Sequence, residues 1–445
     1  MSFEPLSHAQ VPPAAPRRRH LGLKIAGGFL VVVGLVLGTG ALVDNLGGSP
    51  EYRSAPPAAG AVAPDALDPA AFSTAMSAAA RGSDPAAFLA FFAPALQVDA
   101  GRYFANLRTL GVDGVLVAIQ TTDLRELQAE SFDGILQIGF HIPGIDGAEV
   151  TPMEPLTGMA IEPNRMPSTA YDVTVRRTDT SGVIEAWSPV GAPAPWDVQE
   201  LVSVQGPGYV LATGVQNEAL LGQYNEAAAQ ATDYTTALFE ELLPDLPGSG
   251  LDNPGFLLFV EPDDELFSSY FVSERSIGPI NEITGYAVPL PSAAGESSGA
   301  RVVMRPQPDL DVFASVAVHE FVHVMFASGT NSSFLPNGTK DPGAAWIAEG
   351  VAEWIQTHFD EQDFTGPTLD AARAAVDQGF FEDRPPTRDE LYTQAEFGYP
   401  LAASVFEWIS ETFNVAAAFD AAADNLSRGF DELFASLMYP SDRDF

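Results

Sequence analysis

Residues 25–43 are apolar and carry no charge, and Leu21 to Leu23 extend the run beyond Lys24. A helix of about 20 apolar residues spans a bilayer, so the pattern predicts a transmembrane helix over residues 21–43. Arg17, Arg18, Arg19 and His20 stand before it and Asp44 after it. The positive-inside rule then predicts a cytoplasmic tail over 1–20, with the C-terminal domains outside the cell membrane. A cleaved secretory signal competes with this anchor, since Thr39-Gly40-Ala41 offers small residues for cleavage, and Arg18-Arg19 faintly matches a twin-arginine signal. Residues 44–70 hold Ala, Pro and Gly without an apolar period, the composition of an extended linker.

From residue 71 the apolar spacing is helical, through Phe72, Met76, Phe88, Leu89 and Phe92, with a break at Gly82 and Pro85. Two helices are expected. Beyond Val112 the period shortens to two, in runs at 115–119, 135–142, 171–178, 183–187, 201–204 and 209–213, each bounded by Gly, Pro or Asp. These features predict a small α+β domain over 71–214 with a largely antiparallel sheet. Leading helices before a meander resemble the cone-shaped nuclear-transport-factor-like domains. His141 sits in one of the apolar runs and reads as a hydrogen-bonded core residue.

The helical period returns near Gln216 and stops before Pro244, marking a second domain over 215–445. Strand-like runs follow at 256–260 and 301–304, separated by a Gly- and Ser-rich stretch.

Charge and cysteine content remove several chemistries. The chain has 445 residues with 59 Asp and Glu against 21 Lys and Arg, a net charge of -38. A surface so acidic repels nucleic-acid phosphates, so no nucleic acid is expected as a partner. With no cysteine there is no disulfide, thiol nucleophile or thiolate-bound metal. A metal site has to be built from His, Asp and Glu.

Such residues occur together at His319-Glu320-Phe321-Val322-His323, in a helix that Asp309 or Asp311 can cap. Histidines four apart lie one above the other on a helix, so both imidazoles reach one metal. Glu320 is turned about 100° aside, where it can serve a water as base without ligating. The flanks Val316, Ala317, Val318, Val324 and Met325 are uncharged, as a buried helix requires.

A third ligand is sought in the helix that follows Asp341-Pro342. Residues 344–355 are uncharged except for Glu349 and Glu353, which share one face. Buried carboxylates need a metal, a cation or a hydrogen-bonded partner. Glu349 as ligand and Glu353 as acceptor for the outer N–H of a ligating histidine is the economical assignment, and the swapped one is open.

The H-E-x-x-H string followed by Trp346-Ile347-Ala348-Glu349-Gly350-Val351-Ala352-Glu353 resembles the gluzincin metallopeptidases, specifically bacterial families with a W-[LI]-x-E-G-x-A-E helix. The resemblance covers residues 216–445. It implies a thermolysin-like mixed α/β zincin domain with a helical lower half, its edge strand at 301–304. It also implies bound zinc held by His319, His323 and Glu349, and peptide or protein hydrolysis with Glu320 as general base. An oxyanion-stabilising residue is expected further on. Tyr399 is the candidate, with Tyr399-Pro400 opening a helix, and Tyr392 and His358 are rivals. The chain departs from better-known members in lacking a second histidine motif after the glutamate helix.

The expectation is therefore an α+β protein in three parts, a transmembrane helix, a small α+β domain and a membrane-anchored extracytoplasmic zinc metallopeptidase. The alternatives are an inactive peptidase-like cell-surface binding protein and a metal-dependent hydrolase of other substrates.

Overall fold

Asp68 starts the first helix, α1 (Pro69–Arg81), because its carboxylate accepts from the N–H groups of Ala70 and Ala71 while Pro69 presets the first turn. Asp84 and Pro85 repeat the device for α2 (Pro85–Leu89). Arg108, near the end of α3 (Gln97–Thr109), donates to the carbonyls of Ala80 and Gly82 and so satisfies the open end of α1. The computed structural model describes residues 67–121, 129–145, 166–178, 181–242, 255–270, 283–291, 297–329, 342–359, 373, 391 and 395–425, all within one compact unit.

The three helices pack beside an antiparallel sheet in the order β1 (Gly114–Gln120), β2 (Ser131–His141), β3 (Ser168–Arg177) and β4 (Gly182–Pro189). Its free edge at β1 is covered by α1. Ser77 and Ser73 accept there from the N–H groups of Val117 and Ile119 at 2.8 and 3.1 Å. His141 is hydrogen-bonded, Nδ1 to Asp113 at 2.6 Å, but it is half-buried and its partner is exposed, so it lies at the margin of the core and not within it.

A short helix, α4 (Pro195–Val198), leads into the second sheet. That sheet has five strands in the order β5 (Leu201–Gly206), β6 (Tyr209–Gly214), β7 (Phe256–Val260), β9 (Ser297–Met304) and β8 (Gly285–Pro291). Strands β6, β7 and β9 run parallel, while β5 and β8 are antiparallel edges. The runs at 201–204 and 209–213 thus pair with each other and, through β6, with β7, and not with the first sheet, since a period of two cannot say which neighbour a strand finds. The edge strand is β8, and 301–304 lies inside the sheet. Pro289 and a register shift in β8 are features of edges.

The faces of this sheet follow from alternation. Gly285, Ala287, Val302 and Met304 share one face, against which α7 (Leu310–Gly329) packs, with Phe321 stacked on Phe256 at 3.8 Å. On the other face Arg301 and Phe259 meet Trp196 of α4, at 5.6 and 5.7 Å. The fully buried Asn106 of α3 fastens the same seam, donating to the carbonyls of Trp196 and Gln199 and accepting from Leu201 N–H.

Below the sheet lie α5 (Ala219–Leu242), α7, α8 (Pro342–Phe359), α9 (Ala395–Thr412) and α10 (Val415–Asn425), while the short α6 (Asp264–Ser269) follows β7. Tyr224 and Phe239 of α5 pack on Phe313 and Phe326 of α7, and Phe419 of α10 closes against Phe239. Helices α8 and α9 are joined by the Trp354 indole, which donates to Glu407 at 2.8 Å.

Two expectations are corrected. The fold class drawn with an N-terminal spanning helix becomes α+β with two sheets, because among the described residues no helix is long and apolar enough to cross a membrane. The cell-membrane localisation that rested on that helix falls with it. The tail, the 21–43 segment and the linker as far as residue 66 lie outside the described residues, as does Asp341. Within the expected linker, Leu67 is already buried and α1 begins at Pro69.

Candidate metal centre

Helix α7 carries the H-E-x-x-H string in its buried middle, where Val316, Val318, Phe321, Val322 and Val324 are fully enclosed. Helix α8 crosses beside it and brings Glu349, also fully buried. Glu349 Oε2 stands 3.3 Å from His319 Nε2 and 3.4 Å from His323 Nε2, and ligand atoms of all three residues lie within 4.8 Å of one another. Donors in a tetrahedral site, each about 2.0–2.1 Å from the ion, stand about 3.3 Å apart. The two imidazoles and one carboxylate therefore fit a metal ion. Burial alone would raise the Glu349 carboxyl, but the charge and hydrogen bonding of His323 and His319 outweigh it and hold the group at about 2.

Glu320, next to the histidine on the same helix, reaches towards edge strand β8. A Cβ on Gly285 would stand 3.3 Å from Glu320 Oε1 and 3.2 Å from Val316, so the glycine leaves space for the carboxylate. Neither Glu320 oxygen has a side-chain partner among the described residues. Burial pushes this carboxyl well up, the neighbouring Glu349 charge adds to the rise, and the Ala287 N–H opposes it. The arrangement yields a carboxylate that holds a proton readily beside an ion-binding group.

The outer nitrogen of His319 has an unexpected partner. Nδ1 lies 2.9 Å from Gln356 Oε1 but 3.9 Å from Glu353 Oε2, so the hydrogen bond goes to the glutamine and Glu353 contributes charge. Gln356 Nε2 in turn donates to Ser315 Oγ at 2.9 Å. Sequence reasoning missed both residues. The available signal was position: Gln356 is two turns after Glu349 and Ser315 one turn before His319, on the same faces of otherwise apolar helices.

Tyr399 is buried with its ring stacked on that of His319, centroids 6.1 Å apart and planes 18° apart. It does not open a helix, because α9 starts at Ala395 and contains Pro400. His358 is engaged elsewhere, with Nδ1 2.9 Å from the Trp354 carbonyl and Nε2 3.5 Å from Glu407. Tyr392 lies outside the described residues.

The site defines a buried His–His–Glu group that can bind a metal ion. No known family, curated protein or solved structure matches the chain.

Proposed function

We propose that this protein is a zinc metallopeptidase that hydrolyses peptide bonds with Glu320 as general base. The observation that carries the reading is Glu320 itself: a fully buried carboxylate without a side-chain partner, one residue from a metal-binding histidine. A scaffold gains nothing from that arrangement, which costs free energy. Two imidazoles, a carboxylate and one open position are the donor set of catalytic zinc. Zinc, when bound, would supply Lewis acidity for a carbonyl oxygen and acidify water.

The chain's own residues do the rest. Glu320 takes the proton of the attacking water and delivers it to the leaving amine, a task suited to a carboxyl raised by burial. Tyr399, packed along His319, is the donor to the developing oxyanion in this reading. The outer side of β8 offers backbone groups to an extended peptide.

The test is zinc per chain by elemental mass spectrometry on protein purified without added metal, alongside a peptide-library digest. About one zinc per chain, lost in His323→Ala, together with cleavage by the wild type alone, supports the reading. Absence of zinc uptake sinks it. Zinc without peptide cleavage points to the binding protein or to a hydrolase of other substrates.

A further inference from the structure

His319 is held by a chain of two neutral side chains, Ser315 to Gln356 to His319, whose two links are each 2.9 Å and whose members are all buried. A carboxamide has one accepting end and one donating end. A helical serine hydroxyl donates to the carbonyl one turn back, which leaves its oxygen as an acceptor. Gln356 Nε2 therefore donates to Ser315, and the accepting Oε1 is turned to His319. Only a protonated Nδ1 satisfies Oε1 there. The Glu353 carboxylate, 3.9 Å from the same nitrogen, favours a proton at that place as well.

We propose that Ser315 and Gln356 fix the proton of His319 on Nδ1 and so present the Nε2 lone pair to the metal, making Gln356 a positioning residue. The metal-facing half of this statement rests on the zinc reading, whereas the proton's position stands on hydrogen bonding alone. A neutral amide orients the ring without adding a second full negative charge at hydrogen-bond distance. Without it, Nε2 would compete for the proton, because Glu349 Oε2 lies 3.3 Å away as an acceptor.

The experiment has two readouts on the full chain. The first is zinc affinity, by competition with a chromophoric chelator, for the wild type, Gln356→Leu, Gln356→Glu, Ser315→Ala and the Ser315→Ala/Gln356→Leu double variant. Loss of an outer acceptor weakens metal binding about 10–100-fold, the result expected for Gln356→Leu. Gln356→Glu keeps an acceptor and should bind within a few-fold of the wild type. Ser315→Ala should fall between, and should add nothing in the Gln356→Leu background. The second readout is two-bond proton–nitrogen correlation on 15N-histidine, metal-free protein, with His319 assigned by its absence in His319→Gln. The wild type should show Nδ1 protonated, and Gln356→Leu should shift the proton towards Nε2.

Equal zinc affinity in Gln356→Leu, additive losses in the double variant, or a wild-type proton on Nε2 alone would each overturn the proposal. A wild type that binds no zinc yet carries the Nδ1 proton sinks the zinc reading and supports the hydrogen-bonded chain. Should Gln356→Leu fail to fold by circular dichroism, Ser315→Ala and Gln356→Glu still decide the matter through both readouts.

Discussion

Gly350 on α8 faces the backbone of Ala402 on α9 so closely that a Cβ at residue 350 would stand 2.9 Å from the Ala402 carbonyl carbon and oxygen. Backbone cannot turn aside as a flexible side chain can, so the two helices would have to part. Gly350→Ala is expected to cost about 1–3 kcal/mol, the range for overpacking, and to lower the melting temperature by several degrees. Because Glu349 is the adjacent residue, the variant should also bind metal more weakly. Thermal unfolding with and without zinc checks both effects.

Replacing Glu320 by Gln removes the proposed base and preserves the shape. The variant should retain the metal content of the wild type and lose about 10²–10⁴-fold in peptide hydrolysis. Wild-type turnover in this variant would exclude Glu320 as the base.

Tyr399→Phe keeps the ring that packs along His319 and deletes the hydroxyl. If that hydroxyl stabilises the oxyanion, kcat should drop about 10²–10³-fold with KM little altered. An unaltered kcat would return Tyr399 to a packing role.

Metal removal should destabilise the chain, since ions bind the folded state alone. At a zinc concentration 1,000 times the dissociation constant the linkage is worth about 4 kcal/mol. Calorimetry before and after chelation should show a lower melting temperature that zinc restores. Identical curves would mean that the His–His–Glu group is not a strong site.

The Asp197 carboxyl gives a pH dependence of predictable sign. Burial raises it above its ordinary 3.8, against the Ala194 N–H, the Tyr171 hydroxyl and the Arg301 and Arg102 charges. A carboxyl raised by folding binds its proton more tightly in the native chain. Its stabilising contribution is therefore full below about pH 3.8 and fades as pH climbs through the raised value. Asp197→Asn should unfold at a lower temperature, because both oxygens of Asp197 accept hydrogen bonds, yet lose less stability over the pH interval in which the raised carboxyl ionises. Parallel melting curves across that interval would assign the titration to another group.

Much of the metal group was legible because its geometry is local. His319, Glu320 and His323 need only a helix, and the buried stretch around Glu349 announced a carboxylate requiring a partner. That Gln356 holds the outer nitrogen of His319 is not legible in the same way, since Glu353 and Gln356 both lie on the inner side of α8 and only tertiary packing decides which reaches Nδ1. Strand membership failed for a related reason. Alternation marks β5 and β6 as strands but says nothing of the parallel pairing of β6 with β7, which depends on the return of α5. Strand β8 went unread altogether, its residues hidden in a stretch that composition marks as loop.

The seam at Trp196 bears on how the protein can be dissected. A chain cut near residue 215 would lose β5 and β6, so β7 would become a raw edge and the Arg301 guanidinium would lose the indole that covers it. Phe259 would be bared on the same surface. The half that carries the metal group is thus not a portable module: its sheet is completed and roofed by residues that precede it, and the two halves should be inherited, expressed and unfolded together.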